Sequence, residues 1–423
     1  MAGADVIVCG GGPAGSSAAW HLARAGARVT LLDRARFPRE KPCAEYLSPE
    51  ASRILDAMGV LERCERAGAA HLAGMAIRAP SGARAEGTFA ASHAYRGFRD
   101  RGLALRRIHL DPILLDAARG AGVEVIEAEQ VTDVIRERNV VAGVRTLAAD
   151  GTARERRAAL VIGADGLRSV VARRLGLAHS ARAPRRLAFV SHWRGVHRMS
   201  ALGEMHVERD GYCGLATVDD GLTNVAIVVP VPRARAAKGR ADAFFDDWIA
   251  ARPHLAPRFI GARREGAVRA IGPFAQHARR AWAPGAALVG DAADFFDPFT
   301  GEGIFAALRG GELLAPHAIA AAGAATERAS REALAAYERA RRAAFGAKWK
   351  VERLVGLAVA TPFLMDRAIA VLAADRPMAD LFVGVCGDFV PPREVLSIAF
   401  LSRLLFPPAS LLPHGSSRLS PGP

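Results

Sequence analysis

The amino-acid sequence predicts a mixed α/β (α+β) chain. Parallel strands and helices are interrupted by an antiparallel sheet and followed by C-terminal helices. Three observations carry this prediction. The chain opens on a strand–turn–helix–strand unit, and the same strand–turn–helix order returns twice far downstream. The stretches between these returns alternate apolar and polar residues, as half-buried antiparallel strands do. With 423 residues, 51% of them hydrophobic and 24% charged, the chain has globular composition. A chain of that length can bury about three quarters of its unfolded surface without staples.

The first element, residues 5–9 (DVIVC), is a short apolar run rich in β-branched residues, as a buried parallel strand requires. Gly10-Gly11-Gly12-Pro13-Ala14-Gly15 follows, then the helix-like SSAAWHLARAGA and a second strand, ARVTLL, ending at Asp33 and Arg34. Each spaced glycine has a reason: Gly10 permits the turn, Gly12 lets backbone approach a diphosphate, and Gly15 lets helix and strand pack closely. The helix N-terminus adds unpaired N–H groups and the positive end of its dipole. Asp33, 21 residues after Gly12, can accept hydrogen bonds from a ribose. A Gly-rich turn alone is a weak signal; the complete strand–helix–strand–acid unit predicts a Rossmann-type dinucleotide site.

Two later segments repeat this order. LVIGADGLRSVVARRLG (160–176) places Asp165-Gly166 after a β-branched run. AALVGDAADFFDPFTGEGIFAALRGGELLA (286–315) places Gly290-Asp291 after a strand, and Pro298, Gly301 and Gly303 before a helix. Such a helix N-terminus would stabilise negative charge developing on a reduced cofactor ring.

Taken together, these motifs resemble the flavoprotein hydroxylases of the para-hydroxybenzoate hydroxylase type, and the geranylgeranyl reductase-like flavoproteins on the same fold. The resemblance spans residues 5–315 and implies FAD as cofactor, with NAD(P)H as electron donor. It implies that the first motif, with Pro13, Ala14, Asp33 and Arg34, holds the ADP portion. By the same resemblance Asp165, Gly166 and Ser169 lie near the diphosphate, Gly290 and Asp291 hold the ribityl chain, and Pro298–Gly303 faces the flavin pyrimidine. Arg107, four residues before Asp111, resembles an arginine that contacts FAD ahead of a helix. Lys41 to Pro49, with Cys43, Ala44 and Glu45, resembles a Cys-Gly-Glu loop beside the isoalloxazine, with Ala44 in place of the glycine. Asp294 stands where that family commonly has glycine.

The expected organisation is a discontinuous FAD-binding domain (1–70, 103–177 and 273–326) and a substrate domain (71–102 and 178–272). A C-terminal helical region (327–412) and a flexible tail (413–423) complete it. The sheet of the substrate domain would roof the flavin. The apolar stretch Leu354–Ala374, interrupted by Pro362, Asp366 and Arg367, reads as two amphipathic helices and not a bilayer span. The run from Leu381 to Phe406 reads as a helix packed on the FAD domain or at a dimer interface, with a lid or a peripheral membrane contact as the other reading.

The net charge of +14 comes from 57 basic residues, of which only Lys41, Lys238, Lys348 and Lys350 are lysine. The arginines are scattered and aromatics make up 6%, which counts against nucleic acid as a partner. The five cysteines have no disulfide or metal-site spacing, and no metal is expected. Lacking a basic n-region, the N-terminus does not read as a signal peptide, and a cytoplasmic monomer or homodimer is expected.

The expected activity is monooxygenation of an apolar or aromatic small molecule with NAD(P)H and O2, in secondary metabolism. The alternative is reduction or dehydrogenation at an isoprenoid-like or polyketide-like C=C bond. Tyr212-Cys213-Gly214-Leu215 keeps only the tyrosine of the Tyr-x-Trp-x-Phe-Pro signature of the reductases, which lowers that alternative. A flavin-dependent halogenase ranks below both, since no tryptophan has another two residues away, and a non-catalytic flavin-bound electron carrier is the remaining, less favoured class. His192, His206 and Tyr212 are candidate substrate contacts, and no residue is assigned as catalytic.

Overall fold

The computed structural model describes residues 4–91, 93–180 and 185–405. The expected tail, 413–423, lies outside the described residues. An eight-stranded sheet forms the centre of the first layer. Strand Ala4–Cys9 pairs in parallel with Val29–Asp33 on one side and Ala153–Gly163 on the other. Ala153–Gly163 pairs in parallel with Ala286–Leu288, and Val29–Asp33 with Glu124–Glu127. The opening unit and its two returns are therefore neighbours. In register, Cys9 lies beside Gly163 and Gly163 beside Leu288, so their turns leave the same end of the sheet. Ligands of open parallel sheets bind beyond these carboxyl ends.

Burial on both faces explains the continuous apolar runs: Val6, Val8, Leu31, Leu160, Val161 and Leu288 are fully buried. Helix Pro13–Arg24 covers one face and is itself covered by helix Gly303–Ala322. The two approach so closely that a Cβ on Gly311 would lie 2.5 Å from the Ala18 nitrogen, and Ser17 Oγ donates to Leu308 O at 2.7 Å. Helix Val170–Arg174, after the second motif, is only five residues long.

A seven-stranded sheet forms the second layer, in the order Arg263–Ile271, Arg186–Arg194, Thr223–Pro230, Gly211–Thr217, Leu202–Glu208, Gly74–Arg78, Arg84–Thr88. The sequence predicts a wholly antiparallel sheet here. One pair differs: Leu202–Glu208 runs parallel to Gly74–Arg78. That pair joins chain segments over a hundred residues apart, so no hairpin constrains its direction. Gly102–Ala104 leaves this sheet to pair with Tyr46–Leu47 and Ala70–Leu72.

Helix Glu327–Ala360 starts at Thr326, whose hydroxyl accepts from Ala329 N at 3.2 Å, and ends before Pro362. Proline cannot continue the helical hydrogen bonding, and the next helix, Pro362–Ala374, departs at 113°. Helix Arg376–Cys386 then packs on the edge strand Arg84–Thr88, where Asp380 accepts from Thr88 N at 2.8 Å. The edge is thereby covered by a helix. Among the described residues no single helix is long and apolar enough to cross a membrane.

Candidate cofactor and active site

Beyond the carboxyl ends of the three parallel strands lies a cavity of about 780 Å3, closed on the far side by the seven-stranded sheet. Its wall contains Gly10, Gly12, Pro13, Ala14, Asp33, Arg34, Cys43, Ala44, Glu45, Arg107, Asp165, Gly166, Gly290, Asp291, Pro298, Gly301 and Gly303. These residues come from five separated segments, brought together by the adjacency of the three motif strands. Gly15 corrects the reading: it is not on the wall. A Cβ there would lie 1.7 Å from the Gly10 carbonyl oxygen, so its place is the helix–strand contact.

Gly12 is different. It caps helix Pro13–Arg24, and a Cβ there would meet only Arg107 Nη2 at 3.4 Å and Arg39 Nη2 at 3.7 Å. Arg107 donates to fully buried Asp111 through Nε (2.6 Å) and Nη2 (2.9 Å), and Arg39 Nη1 lies 3.0 Å from the same carboxylate. Burial opposes the charge on Arg107, but the contact with Asp111 outweighs it and holds the guanidinium above its ordinary range. Arg39 and Lys41 are lowered instead, first by burial. One buried carboxylate thus orients two arginines toward the helix N-terminus, with Lys41 and Arg34 on the same wall. Asp33 accepts from Gly11 N (2.7 Å) and Ala35 N (2.8 Å), locking the turn to the second strand.

In the middle of the cavity, burial raises both Asp165 and Asp291. Asp165 Oδ2 accepts from Val170 N at 2.6 Å, while its buried Oδ1 has no protein partner among the described residues. Glu45, at φ +62°, ties its loop to the roof. Its Oε1 accepts from Arg107 N at 3.2 Å, and its Oε2 meets Asn224 Nδ2 at 2.8 Å and His192 Nε2 at 2.7 Å. Burial works against charge on His192, but the bond to Glu45 prevails and raises it. His192 and His206 do not line the cavity, whereas Tyr212 does. Cys43 also lines it, its thiol pushed up by burial.

The inner end is built from other parts of the chain. Ala188, Val190, Met205, Ala226, Val228 and Phe274 give an apolar roof. Tyr212 Oη donates to Asp297 at 2.6 Å, and Arg186 holds the other Asp297 oxygen at 2.6 Å. Glu302, beside Gly301 and Gly303, pairs with Lys348 at 3.1 Å; Lys348 also contacts Asp388. Burial raises Glu302 to about 7 against the pull of Lys348. Glu352 lines the same end, raised to about 8 by burial and by the charge of Glu302. Asp294, the departure from the family's glycine, is held by Arg341.

A family model described as an FAD binding domain matches residues 3–352. The chain belongs to this FAD-binding family of flavoprotein oxidoreductases. It is 30% identical to digeranylgeranylglycerophospholipid reductase 1 of Methanococcoides burtonii, over 81% of this chain and 80% of that protein. It is 28% identical to conditioned medium factor receptor 1 of Dictyostelium discoideum, over 73% of this chain and 62% of that protein, less than two thirds of its length. Among solved structures, the myxobacterial chondrochloren halogenase, an FAD-dependent halogenase, superposes with a TM-score of 0.77 at 25% identity. That match covers 96% of this chain and 90% of the halogenase.

The cavity of this flavoprotein fits its family's cofactor on physical grounds. A flavin dinucleotide carries a diphosphate, a polyhydroxyl chain and a flat ring. The wall offers, in sequence, cations at a helix N-terminus, buried carboxylates with unused acceptors, and an apolar roof. No sequence motif marks Arg39, Lys348 or Glu352. Arg39 lies in an irregular loop, and the other two sit on a helix whose periodicity shows only that it is amphipathic.

Proposed function

We propose that this flavoprotein is a monooxygenase that uses NAD(P)H and O2 to hydroxylate or epoxidise an apolar or aromatic small molecule. The observation that carries this reading is the apolar roof opposite the loop Pro298–Gly303, which gives the inner end of the cavity an apolar ceiling. Excluding water protects a reactive oxygen-transfer step from wasteful side reactions. Bound FAD would supply hydride acceptance from the nicotinamide and the activation of oxygen.

The residues divide this work. Arg39, Arg107, Arg34, Lys41 and the N-terminus of helix Pro13–Arg24 would hold the diphosphate, with Gly12 giving the room. Asp33 would bind the ribose and Asp291 the ribityl hydroxyls. The N–H groups from Gly301 to Gly303 would face the pyrimidine edge of the ring, where an N-terminal dipole favours the anionic reduced form. Tyr212 is fixed by Asp297, and the Glu45–His192–Asn224 cluster fixes the roof over the loop that carries Cys43. These groups position ligand and exclude water without themselves changing covalently.

The 30% identity to a digeranylgeranylglycerophospholipid reductase favours a second reading, reduction of a C=C bond. One experiment separates the two. Candidate apolar aromatics and isoprenoids are turned over with NAD(P)H under labelled dioxygen and, in parallel, without oxygen. The monooxygenase reading expects one labelled oxygen atom in the product and no product anaerobically. Product formed without oxygen and carrying two added hydrogens would replace it with the reductase reading.

A further inference from the structure

Among the described residues, Glu352 is the inner-end acid with no fixed protein partner. It stands on helix Glu327–Ala360, three residues past Trp349 and seven past Phe345, so all three fall on one helical face, and all three line the cavity. Among the described residues its carboxyl makes no hydrogen bond and no ion pair, although the residue is partly buried. The charges nearest its carboxyl are bound elsewhere, apart from Arg353. Asp297 holds Arg186 and Tyr212. Lys348 lies between Glu302 and Asp388 and donates to Val385 O at 3.1 Å. Arg353 lies over the Phe296 ring. Asp297 and Glu302 therefore stand near Glu352 as acids already paired with Arg186 and Lys348, and a further negative charge there is unfavourable.

We propose that Glu352 is a substrate-binding residue: it presents a protonated carboxyl to the inner end of the cavity and donates a hydrogen bond to an oxygen of the apolar substrate. The substrate class is thus an apolar molecule with one acceptor oxygen, a phenol or a ketone, oriented by that bond toward the loop Pro298–Gly303. The raised affinity of Glu352 for its proton, to about 8, supports this state at neutral pH. The donor is present below that pH and lost above it. The inference rests on the reading that the chamber takes an apolar substrate beside the flavin.

The test uses the FAD-loaded protein and two probes with one skeleton, 1-tetralone with a carbonyl and tetralin without. Binding is followed by perturbation of the flavin absorption spectrum. At neutral pH tetralone should bind about tenfold more tightly than tetralin, the worth of one buried hydrogen bond. Raising the pH through about 8 to about 9 should remove that advantage while leaving tetralin unaffected. Glu352→Gln, which keeps a donor but cannot titrate, should bind tetralone within about threefold of wild type and lose the pH dependence. Glu352→Ala should bind both probes alike. Equal affinity of wild type for the two probes, or a tetralone preference unchanged at high pH, overturns the role of Glu352 and leaves the apolar chamber standing. Failure of both probes to bind contradicts the chamber reading itself. The wild-type pH series needs no variant, so it decides the matter even if a substitution impairs folding.

Discussion

The two ends of the cavity carry opposite charge and come from opposite kinds of sequence. The outer end gathers Arg34, Arg39, Lys41 and Arg107 around one buried carboxylate, Asp111. The arginines stay charged at any physiological pH, so this end is a permanent anion site. The inner end gathers Asp297, Glu302, Glu352 and Asp388 near Lys348, and of these Glu302 and Glu352 hold their protons into the neutral range. A fixed charge suits a cofactor that stays; a titratable one suits a ligand that comes and goes. The difference teaches that one cavity can bind by permanent electrostatics at one end and by a conditional hydrogen bond at the other.

The sharpest break of this comparison separates fold from binding within the outer end. Gly15→Val should give no folded protein, because the new side chain would begin 1.7 Å from the Gly10 carbonyl oxygen, a backbone atom of the turn after strand Ala4–Cys9. Soluble expression and circular dichroism check this. Gly12→Val should fold, since its nearest neighbours are side-chain tips, of Arg107 and Arg39, at 3.4 and 3.7 Å and not backbone, yet it should purify without flavin. A folded Gly12→Val protein with full flavin content would remove the diphosphate from this turn.

Asp291→Ala should weaken FAD by about ten- to a hundredfold while the fold persists, the usual cost of a lost charge-assisted hydrogen bond of ~1.5–3 kcal/mol. Titration of apo-protein with FAD measures it.

Sequence reading reached the outer end because its determinants are local. Gly10 to Gly15, Asp165-Gly166 and Gly290-Asp291 each follow a strand by a few residues, Asp33 ends one, and the four strands lie side by side. The inner end was not legible in the same way. Glu302 and Glu352 are fifty residues apart, and Lys348 meets Asp388 only because the chain turns sharply at Pro362 and returns. Glu45 finds His192 and Asn224 across two layers. Nor does alternation disclose strand direction, which is why the parallel pairing of Leu202–Glu208 with Gly74–Arg78 went unforeseen. Burial and long-range contact create these features, and neither leaves a spacing in the chain.

The smallest expected effect sharpens the inner end. Glu352 binds its proton more tightly folded than unfolded, so between its ordinary range and about 8 the folded state holds more protons, and stability falls as pH rises through that window. Glu352→Gln removes this loss. Its melting temperature should exceed that of wild type by about 2–4 °C at high pH and match it at low pH. A variant that melts below wild type at high pH would mean that the ionised carboxylate is stabilised there.

A crystal structure of the protein with FAD bound would show whether the two ends of the cavity divide in this way. The diphosphate is expected within hydrogen-bond distance of Gly12, Arg39 and Arg107, the ring edge against Gly301–Gly303, and Glu352 free of Lys348 and facing the ring. A diphosphate seated away from Gly12, or a Glu352 carboxylate paired with Lys348, would contradict the division of the cavity into a permanent and a conditional end.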